Sequence, residues 1–335
     1  MHKIGIFEIE GWEKELFEKE FFEHNLYFSE KSITANHLPE ERDFTILSIF
    51  VGSKLTKEVL ENFPNLKLIT TRSTGFDHID LNYCKEKGIV VCNVPSYGSE
   101  TVAEWTIGLM LCLMRKIYYA IDQIKETKNL DFKNLRGEEL SGKTLGVIGT
   151  GKIGKEVAKR AKAFNMNLIG YDLFPDEKWA SEIGLKYVGL DELLSNSDVI
   201  TIHCLLNEST YHLINKENIK KIKKGAYLIN TARGEIVETD ALIYALKEGI
   251  LKGAALDVLE EERFLKEELD LLIKEGQSMT NLKIALENHI LMEMPNVLIT
   301  PHNAFNSKEA IERIIKTTIE NIKNFMKGSL INVCE

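Results

Sequence analysis

The sequence predicts an α/β chain of two Rossmann-like or flavodoxin-like domains, each built on a parallel sheet. Three observations carry the fold. Short β-rich apolar runs alternate with stretches of helical spacing along most of the chain, the pattern of strand–helix–strand crossovers. At 335 residues the chain is long enough for two separate cores. The stretch 144–172 places an apolar run, a glycine loop, a helical segment and a second apolar run in immediate succession.

Taken in order, Lys3–Phe7, 44–50, 66–71 and 89–92 read as buried strands, and 12–22, 56–63 and 79–87 as the helices between them. They make a small α/β domain, residues 1–98, with no glycine fingerprint. Two of its loops directly follow strands: Arg72 to Asp77, and Asn93 to Tyr97. Residues 100–128 then read as one long helix that starts near Ser99 as N-cap and leads into a second domain, 99–302. A closing helix over 308–327 follows the last strand, and the segment 303–335 returns to the first domain.

The second domain opens on the fingerprint. Gly149, Gly151 and Gly154 stand in the spacing G-x-G-x-x-G after the run 145–148. The first allows a tight turn, the second lets a pyrophosphate approach the backbone, and the third lets helix and strand pack closely. The helix N-terminus that follows offers N–H groups to phosphate, and Asp172 ends the next strand where a carboxylate can accept ribose hydroxyls. These features predict dinucleotide binding. Later strands are expected at 186–188, 199–203, Ala226–Asn230, 254–258 and 297–300, with helices at 191–195, 216–222 and Thr239–Lys247. Residues 260–293 read as a charged, helix-prone and peripheral insertion.

Composition excludes several classes. A net charge of −9 and the absence of a basic run argue against nucleic-acid binding. The longest apolar run in the first half, 105–114, is too short to span a bilayer, so no membrane role is expected. Five cysteines, odd in number and without a C-x-x-C pair, point to a reducing cytoplasm and to no metal site.

In open parallel sheets, ligands bind outside the carboxyl ends of the strands. Those ends carry Asp172, His203 with Cys204, Thr231 to Arg233, Asp257, and Pro301 with His302. An arginine to grip a carboxylate, a histidine to exchange a proton and a glutamate to keep it charged suit hydride chemistry on a 2-oxo acid. Any of Glu260, Glu261 and Glu262 could supply the carboxylate. Plainer readings stand beside this one: a structural histidine at a strand end, a solvated helix start at 260–263, and turn chemistry at Arg233 beside Gly234.

At these residues the chain resembles the D-isomer-specific 2-hydroxyacid dehydrogenase family, most closely its D-lactate dehydrogenase branch. The motifs are RSTGFDHIDL (72–81), VPSYGSETVAEW (94–105), GVIGTGKIG (146–154), LINTARGEIVETDAL (228–242), AALDVLEEE (254–262) and NVLITPHNAF (296–305). They cover nearly the whole chain, in order. The resemblance implies an NAD-dependent enzyme, typically a homodimer, with residues 105–114 as part of the dimer interface. It implies that 1–98 and 303–335 bind substrate, that 99–302 binds NAD, and that the active site lies in the cleft between the two domains. Arg233 then matches the arginine that holds the substrate carboxylate and keto oxygen, His302 the general acid/base, and Glu262 its carboxylate partner. Thr74 and Gly75 match a loop whose N–H groups hold the carboxylate, and Tyr97 and Phe305 line the pocket. Thr150, Lys152 and Ile153 lie along the pyrophosphate and Asp172 on the ribose. His203, Cys204, Thr231, Ala232, Asp257 and Val102 border the cofactor.

The chain departs from the family at Gly52, Trp105, Leu205 and Asn306, positions expected near the substrate mouth, which puts the exact 2-oxo acid in doubt. The expected reaction is reduction of pyruvate to D-lactate. Its alternatives are a reductase of hydroxypyruvate, glyoxylate or bulkier 2-oxo acids, and a non-catalytic NAD(H)-sensing module of the same fold.

Overall fold

The computed structural model describes residues 2–262 and 279–334. The chain divides into two compact units, Met1–Tyr97 with Asn306–Glu335, and Gly98–Phe305.

The first unit runs β1 (Lys3–Phe7), α1 (Gly11–Glu20), β2 (Asn25–Ser29), β3 (Ile46–Ile49), α2 (Lys57–Leu60), β4 (Leu68–Thr71), α3 (Leu81–Lys87) and β5 (Val90–Cys92). All pairings are parallel, in the order β2-β1-β3-β4-β5. Strand neighbours alternate between two cores, as a period of two requires. Ile4, Ile6, Ile46 and Leu68 face Phe17, Phe21 and the closing helix Lys308–Met326 through Ile315 and Ile322. Phe7, Leu47, Ile49, Ile69 and Val91 face Val59, Leu60, Tyr83 and Cys84. β2 escapes a reading for apolar runs because it is a half-exposed edge strand, NLYFS. The closing helix is stitched to the sheet by buried Asn321, whose Nδ2 donates to Asn93 O at 2.9 Å and to Thr70 Oγ1 at 3.3 Å. That contact explains why the end of the chain belongs to the first unit.

The second unit runs α4 (Ser99–Met114), α5 (Ile117–Thr127), β6 (Thr144–Ile148), α6 (Lys152–Ala163), β7 (Asn167–Tyr171), α7 (Glu177–Ile183), β8 (Leu185–Tyr187), α8 (Leu190–Asn196), β9 (Val199–Ile202), β10 (Ala226–Asn230), α9 (Thr239–Lys247), β11 (Leu251–Leu256), α10 (Met279–Glu293) and β12 (Val297–Ile299). The closing helix is α11. The parallel sheet is ordered β12-β11-β10-β9-β6-β7-β8, so strand order reverses between β6 and β9. One face packs on α4 and α6 through Ala103, Met110, Val157 and Ala161. The other packs on α8 and α9 through Leu193, Ala241 and Ala245.

Two expectations need correction, and one helix is unexpected. The single helix over 100–128 is two, with Gly98 rather than Ser99 as N-cap, broken at Lys116 with φ +54°. Glu138 N–H caps Met114 O at 2.8 Å, and Gly137 passes so close that a Cβ there would lie 2.4 Å from that oxygen. The returning chain therefore closes α4 and turns the next segment away. The helix expected at 216–222 shrinks to one 3-10 turn, Ile219–Lys221. There the side chains of Asn215 and Asn218 take backbone N–H groups and compete with a longer helix. The short α7, capped by Asp176 Oδ1 on Trp179 N at 3.1 Å, goes unforeseen. Of the insertion at 260–293, Met279–Glu293 is helical, and residues 263–278 lie outside the described residues.

Candidate functional site

The fingerprint sits at the sheet's switch point, where doubly wound folds hold their ligands. Gly149 has φ +87°, and a Cβ there would lie 2.5 Å from Cys204 N, at the end of the neighbouring strand. A Cβ on Gly154 would lie 2.0 Å from Gly149 O, so only glycine lets α6 start this close to β6. At Gly151 a Cβ would meet nothing within 4 Å. That leaves a bare backbone surface at the N-terminus of α6, whose first turn contains Lys152 and Ile153 and whose N–H groups lack intrahelical acceptors.

Beyond β7, Asp172 Oδ2 accepts Thr150 N–H at 2.6 Å and Thr150 Oγ1 at 2.9 Å, and its Oδ1 accepts Phe174 N–H at 2.9 Å. Burial opposes its charge, but these donors prevail and hold the carboxyl below the usual carboxylate range. His203, across the switch point, bonds Thr201 Oγ1 through Nε2 at 2.8 Å. Its Nδ1 is buried without a partner, and burial pushes its pKa down to about 3, so the ring is neutral. Burial also pushes the Cys204 thiol up to about 11. Val102 lies buried in α4, one turn before Thr106, whose hydroxyl meets Thr231 Oγ1 at 3.0 Å. A bare glycine cradle, a helix N-terminus, a fixed acid and an orphaned imidazole nitrogen together fit a dinucleotide such as NAD.

Three neighbouring strands carry the other cluster. Arg233 follows β10 in extended backbone, with Asn230 bracketing the turn: Nδ2 donates to Arg233 O at 2.8 Å and Oδ1 accepts Ala232 N–H at 3.0 Å. Next to it, Gly234 presses on the backbone after β11, where a Cβ would lie 2.0 Å from the Leu259 carbonyl carbon. Asp257, also after β11, is buried. It accepts Thr300 Oγ1 at 2.5 Å, Asn303 N–H at 2.9 Å and Ala304 N–H at 2.8 Å. Burial raises its pKa against these donors. The loop it gathers carries His302, held at φ +54° by its own N–H on Asp257 O at 2.9 Å. His302 Nδ1 meets Glu262 Oε1 at 2.7 Å. Since a carboxylate only accepts, Nδ1 carries the proton and Nε2 is left for other work. The Phe305 ring stands edge-on to His302 with centroids 6.5 Å apart.

The choice among three glutamates is thereby made. Glu260 turns inward to His212 Nε2 at 2.8 Å and Thr239 Oγ1 at 2.6 Å, Glu261 occupies a left-handed position, and Glu262 reaches His302. In the first unit, Thr74 and Gly75 follow β4. Thr74 is clamped by Oγ1 on Val94 O and by Asn93 Nδ2 on its carbonyl, both at 2.8 Å, while Arg313 Nε donates to Tyr97 O at 2.7 Å. At Gly52 a Cβ would lie 2.5 Å from Glu8 Oε1. Trp105 packs, partly buried, on the α4–α6 core of the second unit, with its Nε1 buried without a hydrogen-bond partner among the described residues. Tyr187 carries no motif and escapes the sequence; Glu260, one of the three candidate carboxylates, is used elsewhere. No cluster of metal-binding side chains exists among the described residues.

A dinucleotide cradle beside an arginine–glutamate–histidine set defines a nicotinamide-dependent oxidoreductase. Residues 107–304 match the family model of the D-isomer specific 2-hydroxyacid dehydrogenase, NAD binding domain. Glyoxylate reductase of Thermofilum pendens is 39% identical over 86% of this chain and 80% of its own. An aromatic 2-oxoacid reductase of Clostridium sporogenes is 39% identical, covering 86% of each chain. The solved D-lactate dehydrogenase of Aquifex aeolicus, complexed with NAD and lactic acid, superposes with a TM-score of 0.87 at 38% identity, covering 97% of this chain and 96% of that one. The chain belongs to the D-isomer specific 2-hydroxyacid dehydrogenases: it is an NAD-dependent enzyme acting on the CH–OH group of 2-hydroxy acids.

Gly234→Ala tests the backbone contact between the Arg233 turn and the segment bearing Glu262. Overpacking there should cost about 3 kcal/mol or more and lower Tm by several degrees, because backbone cannot give way as a side chain can. An unchanged melting curve would show that the two segments do not depend on each other.

Proposed function

We propose that this enzyme is a D-lactate dehydrogenase that reduces pyruvate with NADH. The observation that supports it most is the His302–Glu262 pair, on the loops after β12 and β11 and beside the Arg233 turn after β10. Similarity to the lactate-complexed Aquifex structure over 97% of the chain favours pyruvate. A second reading, a reductase of bulkier 2-oxo acids, is favoured by the aromatic-acid relative.

In this mechanism Gly149, Gly151, Gly154 and the first turn of α6, with Thr150, Lys152 and Ile153, hold the pyrophosphate, and Asp172 holds the adenosine ribose. Cys204, Thr231, Ala232 and Asp257 border the nicotinamide half, and Val102 and His203 border the cofactor. When bound, the reduced nicotinamide supplies a hydride to the keto carbon. Arg233 grips the carboxylate and polarises the keto oxygen. His302 delivers a proton from Nε2 to that oxygen, and Glu262 on Nδ1 stabilises the charged ring and fixes its tautomer. Thr74 and Gly75 offer backbone N–H groups to the carboxylate, and Tyr97 and Phe305 line the pocket.

We also propose a homodimer in the cytoplasm. No helix among the described residues is long and apolar enough to cross a membrane. Within the stretch 105–114, Ile107, Leu109, Met110, Leu113 and Met114 are buried in the core of their own unit, which leaves Trp105, Leu111 and Cys112 as its partly exposed apolar residues. By contrast, α5 buries none of its residues and exposes Ile117, Tyr118, Ile121 and Ile124, with Leu130 and Phe132 beyond it. A second copy covering this stripe removes it from water.

Assays with pyruvate, glyoxylate, hydroxypyruvate and phenylpyruvate should give the highest kcat/KM for pyruvate, and chiral chromatography should show D-lactate. A preference for phenylpyruvate establishes the second reading, and L-lactate overturns the mechanism.

The preference for NADH over NADPH should hold from pH 8 down to about pH 5. The Asp172 carboxyl lies below its usual range and so stays charged throughout, repelling a 2′-phosphate. The charge is lost only when pH falls below that lowered value. A preference that collapses within this window removes Asp172 from cofactor selection.

Replacing Ile121 and Ile124 with Asp should convert a dimer to a monomer in light scattering, with the fold retained by circular dichroism. A dimer that persists places the interface elsewhere.

A further inference from the structure

Tyr187 ends β8, and its hydroxyl lies in a chain of hydrogen bonds behind the cofactor cradle. Tyr187 Oη is 2.7 Å from Thr150 Oγ1 and accepts Asp176 N–H at 3.2 Å. The proton directions follow from chemistry alone. Asp172 is an ionised carboxylate that only accepts, so Thr150 Oγ1 must donate its single proton to Asp172 Oδ2 at 2.9 Å. Thr150 Oγ1 can then only accept from Tyr187, so Tyr187 gives its proton to Thr150 and receives the Asp176 N–H. The far end of the chain is anchored as well. Asp176 Oδ2 accepts Lys155 Nζ of α6 at 2.5 Å, and Lys155 Nζ stands 5.1 Å from the Trp179 ring centroid.

The relay thus ties β8, the start of α7, the helix after the glycine loop and the acid that ends β7 into one unit. Thr150 is its hinge, because it uses both backbone N–H and hydroxyl on the same Asp172 oxygen. A carboxylate with one oxygen taken by both Thr150 donors and the other by Phe174 N–H cannot turn without breaking them. We propose that Tyr187 is a positioning residue for cofactor selection. By fixing the Thr150 hydroxyl rotor, it holds the Asp172 carboxylate ready for the adenosine ribose before the cofactor arrives. This rests on the reading of Asp172 as the ribose acceptor.

The test uses Tyr187→Phe in the full-length enzyme, with NADH, NADPH and reduced nicotinamide mononucleotide, which lacks the adenosine half. One neutral hydrogen bond acting through Thr150 should be read as an NADH Kd raised about three- to tenfold by fluorescence titration. The NADH-over-NADPH preference should fall by a similar factor, while kcat at saturating NADH stays within about twofold. Efficiency with the mononucleotide should not change. Tyr187→Phe added to Thr150→Val should cause no further loss, since both act through the same hydroxyl. Wild-type Kd and preference in Tyr187→Phe overturn the proposal, and so does an equal loss with the mononucleotide, which marks a general structural effect. Asp172→Ala separates the two readings. If it relaxes the preference and Tyr187→Phe does not, only the relay fails. If Asp172→Ala leaves the preference intact, the ribose assignment falls and the relay with it.

Discussion

The candidate catalytic cluster of the second unit depends on one buried carboxylate. Asp257 gathers the loop after β12 by accepting Thr300 Oγ1 and two successive N–H groups, and its own carbonyl accepts the N–H of His302. Without those bonds a histidine at φ +54° is a strained conformation that costs on the order of 1 kcal/mol or more. A buried carboxylate is itself expensive unless every lone pair is used. Each side therefore supports the other: the loop's donors offset part of the cost of burying the carboxyl, and the carboxyl holds the loop. The outcome is an imidazole whose Nδ1 faces Glu262 and whose Nε2 is left over.

The same economy governs the other loops. Gly234 brings the Arg233 turn against the backbone that leads to Glu262, so arginine and glutamate are placed by main-chain contact rather than by flexible side chains. Glu260 closes that segment from behind through His212 and Thr239, and Asn288 Nδ2 donates to its carbonyl at 2.8 Å. Glu260, buried, and Glu262, on the histidine, thus do different tasks because Glu261 between them turns the chain through a left-handed conformation.

At the glycine loop the selection is by what is missing. Gly149 and Gly154 are required by approaches that no Cβ could survive, whereas Gly151 faces open space. The first two build the turn, and the third keeps a surface clear for a phosphate. Asp172 is fixed by donors from the same loop, so the acid proposed to receive the ribose and the glycine cradle share one scaffold.

Much of this was legible in the amino-acid order. Local periodicity and the G-x-G-x-x-G spacing revealed the parallel sheets, the cradle and Asp172, because those signals lie within some thirty consecutive residues. Strand-end positions singled out Arg233, Asp257 and His302. Their positions alone could not say which of Glu260, Glu261 and Glu262 meets the histidine, a choice that only the family resemblance made for Glu262, since it depends on a turn at Glu261 and on a partner forty residues away. It could not show that α4 stops at Met114, because the cap arrives from Glu138. Nor could it pick out Tyr187, an ordinary tyrosine until β8 is laid beside β7 and its hydroxyl falls on Thr150. The sequence by itself determined the elements and the chemistry at their ends. Tertiary structure decided which of those ends meet, because hydrogen bonds between distant residues exist only once the sheet has brought their strands side by side.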